Sequence, residues 1–401
     1  MPDLAAIRAQ FPALGGPTVY LENAGGSQVP KSVADAMYRY MTETYVQLGA
    51  PYDVSRRSTR VVEDAHLWVN RFMGGEGSGE VALGPSCTQL VTMLAECYAR
   101  RLAPGDEIIL CETAHEANFG PWWRMERLGF RIRTWRVDPE TGTASLRDLE
   151  ALLSDRTRLV CFPHVSNLLG EVVDVTAITA MAHQVGARVV VDGVAYAPHR
   201  LMDVARWGVD WYVYSTYKVF GPHMAALYGR HDAWAELEGP NHFFLPGGNP
   251  YKFELGGPNH EGCAGLLALS DYLRFLADEP GDCLADRKTV ERAMTRVAEL
   301  EARLQQALIE GLRAIPGVRI VGPNSYGPER VATISFLHDQ RSPSEICAAT
   351  DAANVGIRYG HMYAYRLCQA MGIGTNEGVV RVSAAHYNTL DEIDDLLRVV
   401  A

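Results

Sequence analysis

The sequence has no long hydrophobic run and no excess of positive charge. Its first residues, MPDLAAIRAQFPAL, lack an apolar stretch of the length found in secretion signals, and no other run approaches membrane-spanning length. The formal net charge of the 401 residues is −11. Because nucleic acids and anionic membranes attract basic surfaces, we expect neither of them to be the main partner.

Closely spaced cysteines are also missing. The eight cysteines lie far apart, without a C-x-x-C pair and without the His/Cys spacing of a zinc site. Scattered cysteines in a chain without a secretion signal predict reduced thiols in a cytoplasmic protein, and no metal site. Charged residues make up 21% of the chain and hydrophobic residues 47%, which is typical of a globular protein long enough for two domains.

What the sequence does contain is a carboxylate and a lysine that follow neighbouring strands. A β-branched run, Val189–Val191, stops at Asp192 and predicts a buried parallel strand. Lys218 comes before a Gly-Pro turn and a second apolar strand. Ligands of open α/β sheets bind at the carboxyl ends of strands, so both side chains are expected to face one crevice. Such a pair suits pyridoxal phosphate: the lysine forms a Schiff base, and the acid keeps the pyridine nitrogen protonated. Taken singly, Asp192 can be interpreted as an ordinary aspartate at the end of a strand, and Lys218 as an ordinary surface lysine.

The first 230 residues alternate between strand and helix patterns without internal repeats. This alternation predicts an α/β fold, with a mostly parallel sheet and helices on both faces. A long loop rich in glycine and proline follows at 239–262, then two helices at 263–276 and 284–315 and a mixed α+β region. We therefore predict an N-terminal segment (1–20) packed near a small C-terminal domain (281–401), and a large domain (21–280) between them.

A loop of small and hydroxyl residues joins the predicted strand at 80–83 to a helix. Ser86, Cys87 and Thr88 lie at the start of that helix, where free backbone N–H groups and the helix dipole favour a phosphate. The alternative is that Ser86 or Thr88 is a plain helix cap.

His115 and Asn167 each follow a predicted strand. The imidazole can stack on a flat cofactor ring, and the amide can bind a phenolic oxygen or cap a turn. Three arginines are candidates for a substrate carboxylate, which a guanidinium grips with two hydrogen bonds. Arg381 lies in the last predicted strand, Arg358 in a turn and Arg56 in a loop. Surface ion pairs are the alternative interpretation.

Together these stretches resemble the cysteine desulfurase group of class V aminotransferases, which are fold-type I pyridoxal phosphate enzymes. The resemblance runs from about residue 18 to the C-terminus, and the sequence is most similar to the branch with aromatic replacements in the C-terminal loop. The motifs that carry it are YLENAGGSQVP, HEAN-x-x-PW, HVSNLLG, VVVDGVAYAPH, STYK-x-x-GP, FELGG and RVSAAHYNTLDEID.

The resemblance implies roles for the candidate residues and a homodimer in which the FELGG segment reaches the neighbour's phosphate. Gly257 stands in place of a threonine, Ala195 in place of a glutamine and Tyr217 in place of a phosphate-binding histidine. The implied cofactor-binding residues are Ser86, Cys87, Thr88, His115 (stacked on the ring), Asn167, Asp192, Ser215, Tyr217, Lys218, Gly256 and Gly257. The implied substrate-binding residues are Ala24, Gly25, Arg56, Arg358, His361 and Arg381.

Tyr363 departs from the family pattern, because it occupies the position of the nucleophilic cysteine in the loop RYGHMYAYRLCQ. A tyrosine hydroxyl cannot take sulfur as a persulfide, and Cys368 comes five residues later, where we expect it to pack on a helix. We therefore predict elimination at Cβ of an amino acid, of the C–S lyase type, with Lys218 removing the α-proton. The other catalytic candidates are Asp192, His115 and Tyr363. Epimerisation and transamination would use the same residues. A non-catalytic protein that binds pyridoxal phosphate would be expected to lack Lys218 or Asp192, and both are present.

Overall fold

The computed structural model describes residues 1–245 and 250–401. The α-helices are α1 (Leu4–Arg8), α2 (Lys31–Glu43), α3 (Asp53–Met73), α4 (Cys87–Arg101), α5 (Gly120–Trp123), α6 (Leu146–Leu152), α7 (Val175–Gln184), α8 (Val204–Trp207), α9 (His231–Ala235), α10 (His260–Leu276), α11 (Arg287–Ala314), α12 (Pro343–Ala352), α13 (Tyr365–Ala370) and α14 (Leu390–Val400). The strands are β1 (Val19–Tyr20), β2 (Gly79–Gly84), β3 (Glu107–Cys111), β4 (Arg131–Trp135), β5 (Thr157–Pro163), β6 (Arg188–Asp192), β7 (Trp211–Ser215), β8 (Ala225–Arg230), β9 (Val318–Val321), β10 (Thr333–His338), β11 (Val355–Gly356), β12 (Arg358–Gly360) and β13 (Val379–Ser383).

A large twisted sheet has the strand order β2-β8-β7-β6-β5-β3-β4 within the described residues. Neighbouring strands are parallel except at β8, which runs antiparallel to both β2 and β7. The connection from β7 to β8 is too short for a parallel crossover, so the Gly-Pro turn reverses the chain. This sheet confirms the predicted α/β fold with a mostly parallel sheet.

Both faces of the large sheet are covered, which explains why its central strands read as continuous apolar runs. Successive residues of β6 alternate between the two cores. Val189 and Val191 pack in the core that contains α3 and α10, whereas Val190 packs in the core beneath α4.

The C-terminal part of the chain forms a smaller antiparallel sheet, with the order β12-β13-β10-β9. Helix α11 packs against α10 and α3 at one end and against α14 and β9 at the other, so it connects the two sheets. Strand β1 pairs with β11 beside the smaller sheet. The predicted domain limits stay predictions.

Two predictions of local structure are wrong, and a third is only partly described. Arg56 lies in the first turn of α3 and not in a loop, because Asp53 starts the helix there and pairs with Arg56 at 3.7 Å. Arg358 belongs to β12 and not to a turn. The long loop predicted at 239–262 ends earlier, since α10 begins at His260, and its residues 246–249 lie outside the described residues. Across residues 1–245 and 250–401, no helix is both long and apolar enough to cross a membrane.

Candidate active site

A cavity opens at the carboxyl ends of β5, β6 and β7. The sequence places its polar lining there because each of these strands ends in a residue or loop that faces the same edge of the sheet. The predicted site residues that line it are Ser86, Cys87, Thr88, His115, Asn167, Asp192, Ser215, Tyr217 and Lys218.

Lys218 lies in a 3₁₀ turn, Thr216–Lys218, directly after β7. Its side chain is buried. Burial and the positive charge of Arg381 lower the pKa of Lys218 to about 8, although Asp192 opposes the shift. A substantial fraction of the amine is therefore neutral near physiological pH, as a nucleophile or a general base requires.

Asp192 is the last residue of β6 and is buried beside the same cavity. Its Oδ1 accepts a hydrogen bond from the Val194 N–H at 2.9 Å. Burial raises the pKa of Asp192, while the Val194 N–H and the charge of Lys218 favour the ionised form. A cationic ring nitrogen beside this carboxyl would stabilise the ionised form further.

His115 follows β3 and begins a short 3₁₀ turn, Glu116–Asn118. Its Nδ1 accepts a hydrogen bond from the Ala117 N–H at 3.0 Å, which places the remaining ring proton on Nε2. Burial, together with Lys218 and Arg381, lowers the pKa of His115 to about 3. The ring is thus neutral and held in one orientation, an arrangement that is compatible with stacking on a flat cofactor.

The N-terminus of α4 closes one end of the cavity. Ser86 caps this helix by accepting a hydrogen bond from the Gln89 N–H at 3.2 Å. The Cys87 Sγ lies 3.1 Å from the Ser215 Oγ at the end of β7. Ser86 therefore has the capping role that was the alternative to phosphate binding. The N-terminus of this 15-residue helix also faces the cavity, where it favours an anion.

Asn167 connects this cavity with the smaller sheet. The side-chain Nδ2 of Asn167 donates to the Met362 carbonyl at 2.8 Å. The backbone carbonyl of Asn167 accepts a hydrogen bond from Arg381 Nη1 at 3.1 Å. Among the described residues, nothing pairs with its buried Oδ1. An amide with an unpaired atom next to a buried lysine and a buried carboxyl fits a polar ligand, and this set of side chains fits pyridoxal phosphate.

A second cavity of about 680 Å³ adjoins the first. The two share His115, Asn167, Tyr217 and Lys218. The loop after β1 and the smaller sheet supply the other predicted residues: Ala24, Gly25, Arg358, His361, Tyr363 and Arg381. A substrate in this cavity would reach Lys218, so we call it the substrate cavity.

Two arginines on neighbouring strands of the smaller sheet lie next to each other at the substrate cavity. The register of β12 with β13 places Arg358 directly opposite Arg381. Opposed guanidinium groups repel, and Glu22 offsets this repulsion through an ion pair with Arg358. Burial lowers the pKa of Arg381 to about 10, with Glu22 opposing the shift, so the group stays charged at neutral pH.

Tyr363 lies at the mouth of the substrate cavity, with its side chain exposed. Its ring centroid is 5.2 Å from that of His115. Cys368 is fully buried in α13, as expected from the sequence, and burial raises the pKa of its thiol to about 11. That thiol has the properties of a packing residue and not of a nucleophile.

A family model described as aminotransferase class-V matches residues 19–396. The chain belongs to this family. Together with relatives and solved structures that are cysteine desulfurases, the match confirms the resemblance to cysteine desulfurase-like class V enzymes of fold-type I and indicates a pyridoxal-phosphate-dependent enzyme.

Relatives of several kinds share this similarity. The aminotransferase-like protein FGM3 of Gibberella zeae is 37% identical, over 98% of this chain and 96% of its own length. A probable cysteine desulfurase of Mycolicibacterium paratuberculosis is 32% identical over 99% of this chain, and the chain spans 58% of that relative. The apo structure of a cysteine desulfurase from Thermococcus onnurineus has a TM-score of 0.89 at 25% identity, and the similarity covers 100% of this chain and 98% of that one.

Three candidates of this class V enzyme lie outside both cavities. Arg56 is on the surface of α3, and Gly256 and Gly257 follow the 3₁₀ turn Tyr251–Phe253 with φ angles of 77° and 86°. The resemblance assigns the two glycines to the neighbour's phosphate. Their roles and that of Arg56 stay predictions about a dimer.

The substrate cavity also contains residues that the sequence did not single out. Glu22, within the motif YLENAGG, forms an ion pair with Arg358 of this cavity. Cys347 of α12, Tyr359 of β12, and Thr375 and Asn376 of the turn before β13 line the cavity. No local pattern marks these residues, because only tertiary packing brings them to it.

Arg381→Lys is expected to weaken substrate binding by about 30-fold, or about 2 kcal/mol, the scale of a hydrogen bond to a charged group. Arg381 Nη1 is engaged with Asn167, whereas its buried Nε has no partner among the described residues. The Nε–Nη2 edge is thus available to grip a carboxylate, and lysine has no such edge. Substrate titrations monitored by absorbance measure the affinity, and Arg398→Lys on α14 is the matched control. Unchanged affinity in Arg381→Lys would place the carboxylate elsewhere, with Arg358 as the next candidate.

Proposed function

We propose that this enzyme eliminates a substituent from Cβ of an amino acid, as a C–S lyase does, without forming a persulfide on a cysteine. The observation that carries the proposal is the loop at the mouth of the substrate cavity. It presents Tyr363 where the resemblance would place a nucleophilic cysteine, while Lys218, Asp192 and Arg381, which such chemistry would use, line the two cavities.

The residues that would hold pyridoxal phosphate are those of the first cavity. Lys218 would bind it covalently, Asp192 would face the ring nitrogen, and His115 would stack on the ring. The helix α4 and Ser215 would bind the phosphate. When bound, the cofactor supplies an electron sink for the charge that develops at Cα.

The chain's own residues then perform the remaining tasks. Arg381 holds the substrate carboxylate through its open edge, which orients the Cα–H bond. The Lys218 amine, with its lowered pKa, accepts the α-proton. The Tyr363 hydroxyl at the cavity mouth donates a proton to the leaving group or orients it by hydrogen bonding.

We also infer a cytoplasmic homodimer, in which the segment around Gly256 and Gly257 reaches the partner's phosphate site. Exposed apolar side chains support this assembly. Phe243 and Phe244 are 94% and 69% exposed, and Leu255 is 53% exposed. Apolar groups concentrated in one segment favour burial against another chain.

The reaction is tested by supplying the purified holoenzyme with β-substituted amino acids, including S-conjugates of cysteine. Elimination is expected to give pyruvate and ammonia in equal amounts, with one equivalent of released thiol or sulfide. Formation of a keto acid that retains the β-substituent would indicate transamination. Loss of optical activity without product release would indicate epimerisation. Either result would contradict the proposal.

No cysteine is expected to carry an extra sulfur atom when turnover is stopped midway. Three thiols need to be examined, because Cys87 lines the first cavity, Cys347 lines the substrate cavity and Cys368 lies near Tyr363 in sequence. Burial raises the pKa of Cys347 to about 12, so this thiol is a poor nucleophile as well. Cys347→Ala and Cys368→Ala are both expected to remain active. A thiol-reversible adduct with the mass of one sulfur on any cysteine, seen by mass spectrometry, would overturn the mechanism.

A further inference from the structure

Arg366, in the first turn of α13, lies over two aromatic rings. Its guanidinium carbon is 4.3 Å from the ring centroid of Phe119 and 4.7 Å from that of Trp123. Those two rings stack on each other with centroids 5.7 Å apart. The Arg366 Nε lies 3.4 Å from a carboxylate oxygen of Glu116. One side chain thus combines cation–π contacts with an ion pair.

The partners of Arg366 belong to a different part of the fold. Glu116, Phe119 and Trp123 follow His115 at the edge of the large sheet, whereas Arg366 follows Tyr363 beside the smaller sheet. The backbone reinforces this contact, because the Glu116 N–H donates to the Tyr363 carbonyl at 2.9 Å. The loop that carries Tyr363 is therefore fastened to the loop that carries His115.

The Tyr363 loop needs such external contacts because its backbone is strained. Met362 has φ 49° and Tyr363 has φ 60°, both in the left-handed region that side chains disfavour. Helix α13 begins without a side-chain cap at Ala364. Strained conformations of this kind persist only where surrounding contacts hold them.

We propose that Arg366 is a positioning residue that holds the Tyr363 loop against His115 and thereby fixes Tyr363 at the mouth of the substrate cavity. Arg366 touches neither of the two cavities; it acts through Glu116 and the two aromatic rings. The catalytic consequence rests on the proposed function, since it requires Tyr363 to act on the substrate. The contact between the two loops is independent of the proposed function.

Hydrogen exchange of the holoenzyme in the absence of substrate tests the contact without any turnover. In Arg366→Ala, the amide of Glu116 is expected to exchange about five-fold faster or more, because opening of the loop breaks its bond to the Tyr363 carbonyl. Arg366→Lys is expected to give a smaller increase, since lysine keeps the charge but cannot stack as a planar group. Arg398→Ala, at an exposed ion pair with Asp395 on α14, is the matched control and is expected to leave this amide unchanged. Unchanged exchange in Arg366→Ala would overturn the proposal.

Steady-state kinetics test the consequence for the reaction. Arg366→Ala is expected to keep its cofactor, as judged by visible absorbance, while kcat for elimination falls and Arg366→Lys recovers part of the loss. Faster exchange combined with normal kcat would refute the positioning role. If the wild-type enzyme catalyses a different reaction, the proposed function fails, yet the exchange experiment still decides whether the loops are fastened. If Arg366→Ala does not fold, Glu116→Gln removes the ion pair and keeps both aromatic contacts, so a smaller increase in exchange is expected from it, and unchanged exchange would overturn the proposal.

Discussion

Lys218→Ala is expected to abolish covalent attachment of the cofactor and to reduce turnover to background. The other lysines of the chain are Lys31, Lys252 and Lys288, and none of them lines either cavity. Reduction with borohydride followed by peptide mass spectrometry is expected to locate the adduct on Lys218 in the wild-type enzyme. Lys31→Ala, on the surface of α2, is the matched control and should retain both the adduct and the visible absorbance. An adduct that persists in Lys218→Ala would refute the assignment of the site.

The pKa of Lys218 gives the same assignment a pH dependence. Only the neutral amine attacks an aldehyde, and burial together with Arg381 lowers the pKa of this amine to about 8. The rate at which the apo-enzyme captures pyridoxal phosphate is therefore expected to rise with pH and to level off above about 8. If the rate instead keeps rising until the pH reaches about 10.4, the pKa of an ordinary exposed lysine, the amine is not shielded as the structure shows.

The position of this lysine and its acid could be predicted because both follow from local sequence. A β-branched run that stops at an aspartate defines the end of β6, and neighbouring parallel strands align their carboxyl ends. The register confirms this, since Asp192 of β6 lies opposite Val213 of β7. The direction of β8 could not be predicted from its apolar pattern, because a buried strand has the same pattern in either direction.

Contacts between distant parts of the chain could not be predicted in this way. The opposition of Arg358 and Arg381 depends on the register of two strands in the smaller sheet, and β12 is only three residues long. The contact of Tyr363 with His115 joins the loop after β12 of the smaller sheet to the loop after β3 of the large sheet. Arg366 reads as a surface arginine until tertiary packing brings Phe119 beneath it. Sequence patterns report which face of an element is buried, but not which element covers it.

Asp192→Asn is expected to lower turnover by about 100-fold or more, the scale on which one preorganised electrostatic contact acts at a reacting centre. The amide is the same size as the carboxyl, and its oxygen can still accept the Val194 N–H, so the fold and the bound cofactor should be retained. It carries no charge, however, and cannot stabilise a protonated ring nitrogen, so the electron sink weakens. Cofactor content from visible absorbance and kcat on one substrate separate these two effects. Asp174→Asn is the matched control, because asparagine can replace aspartate as the cap of α7. Near-normal kcat in Asp192→Asn would show that the reaction does not depend on a protonated ring.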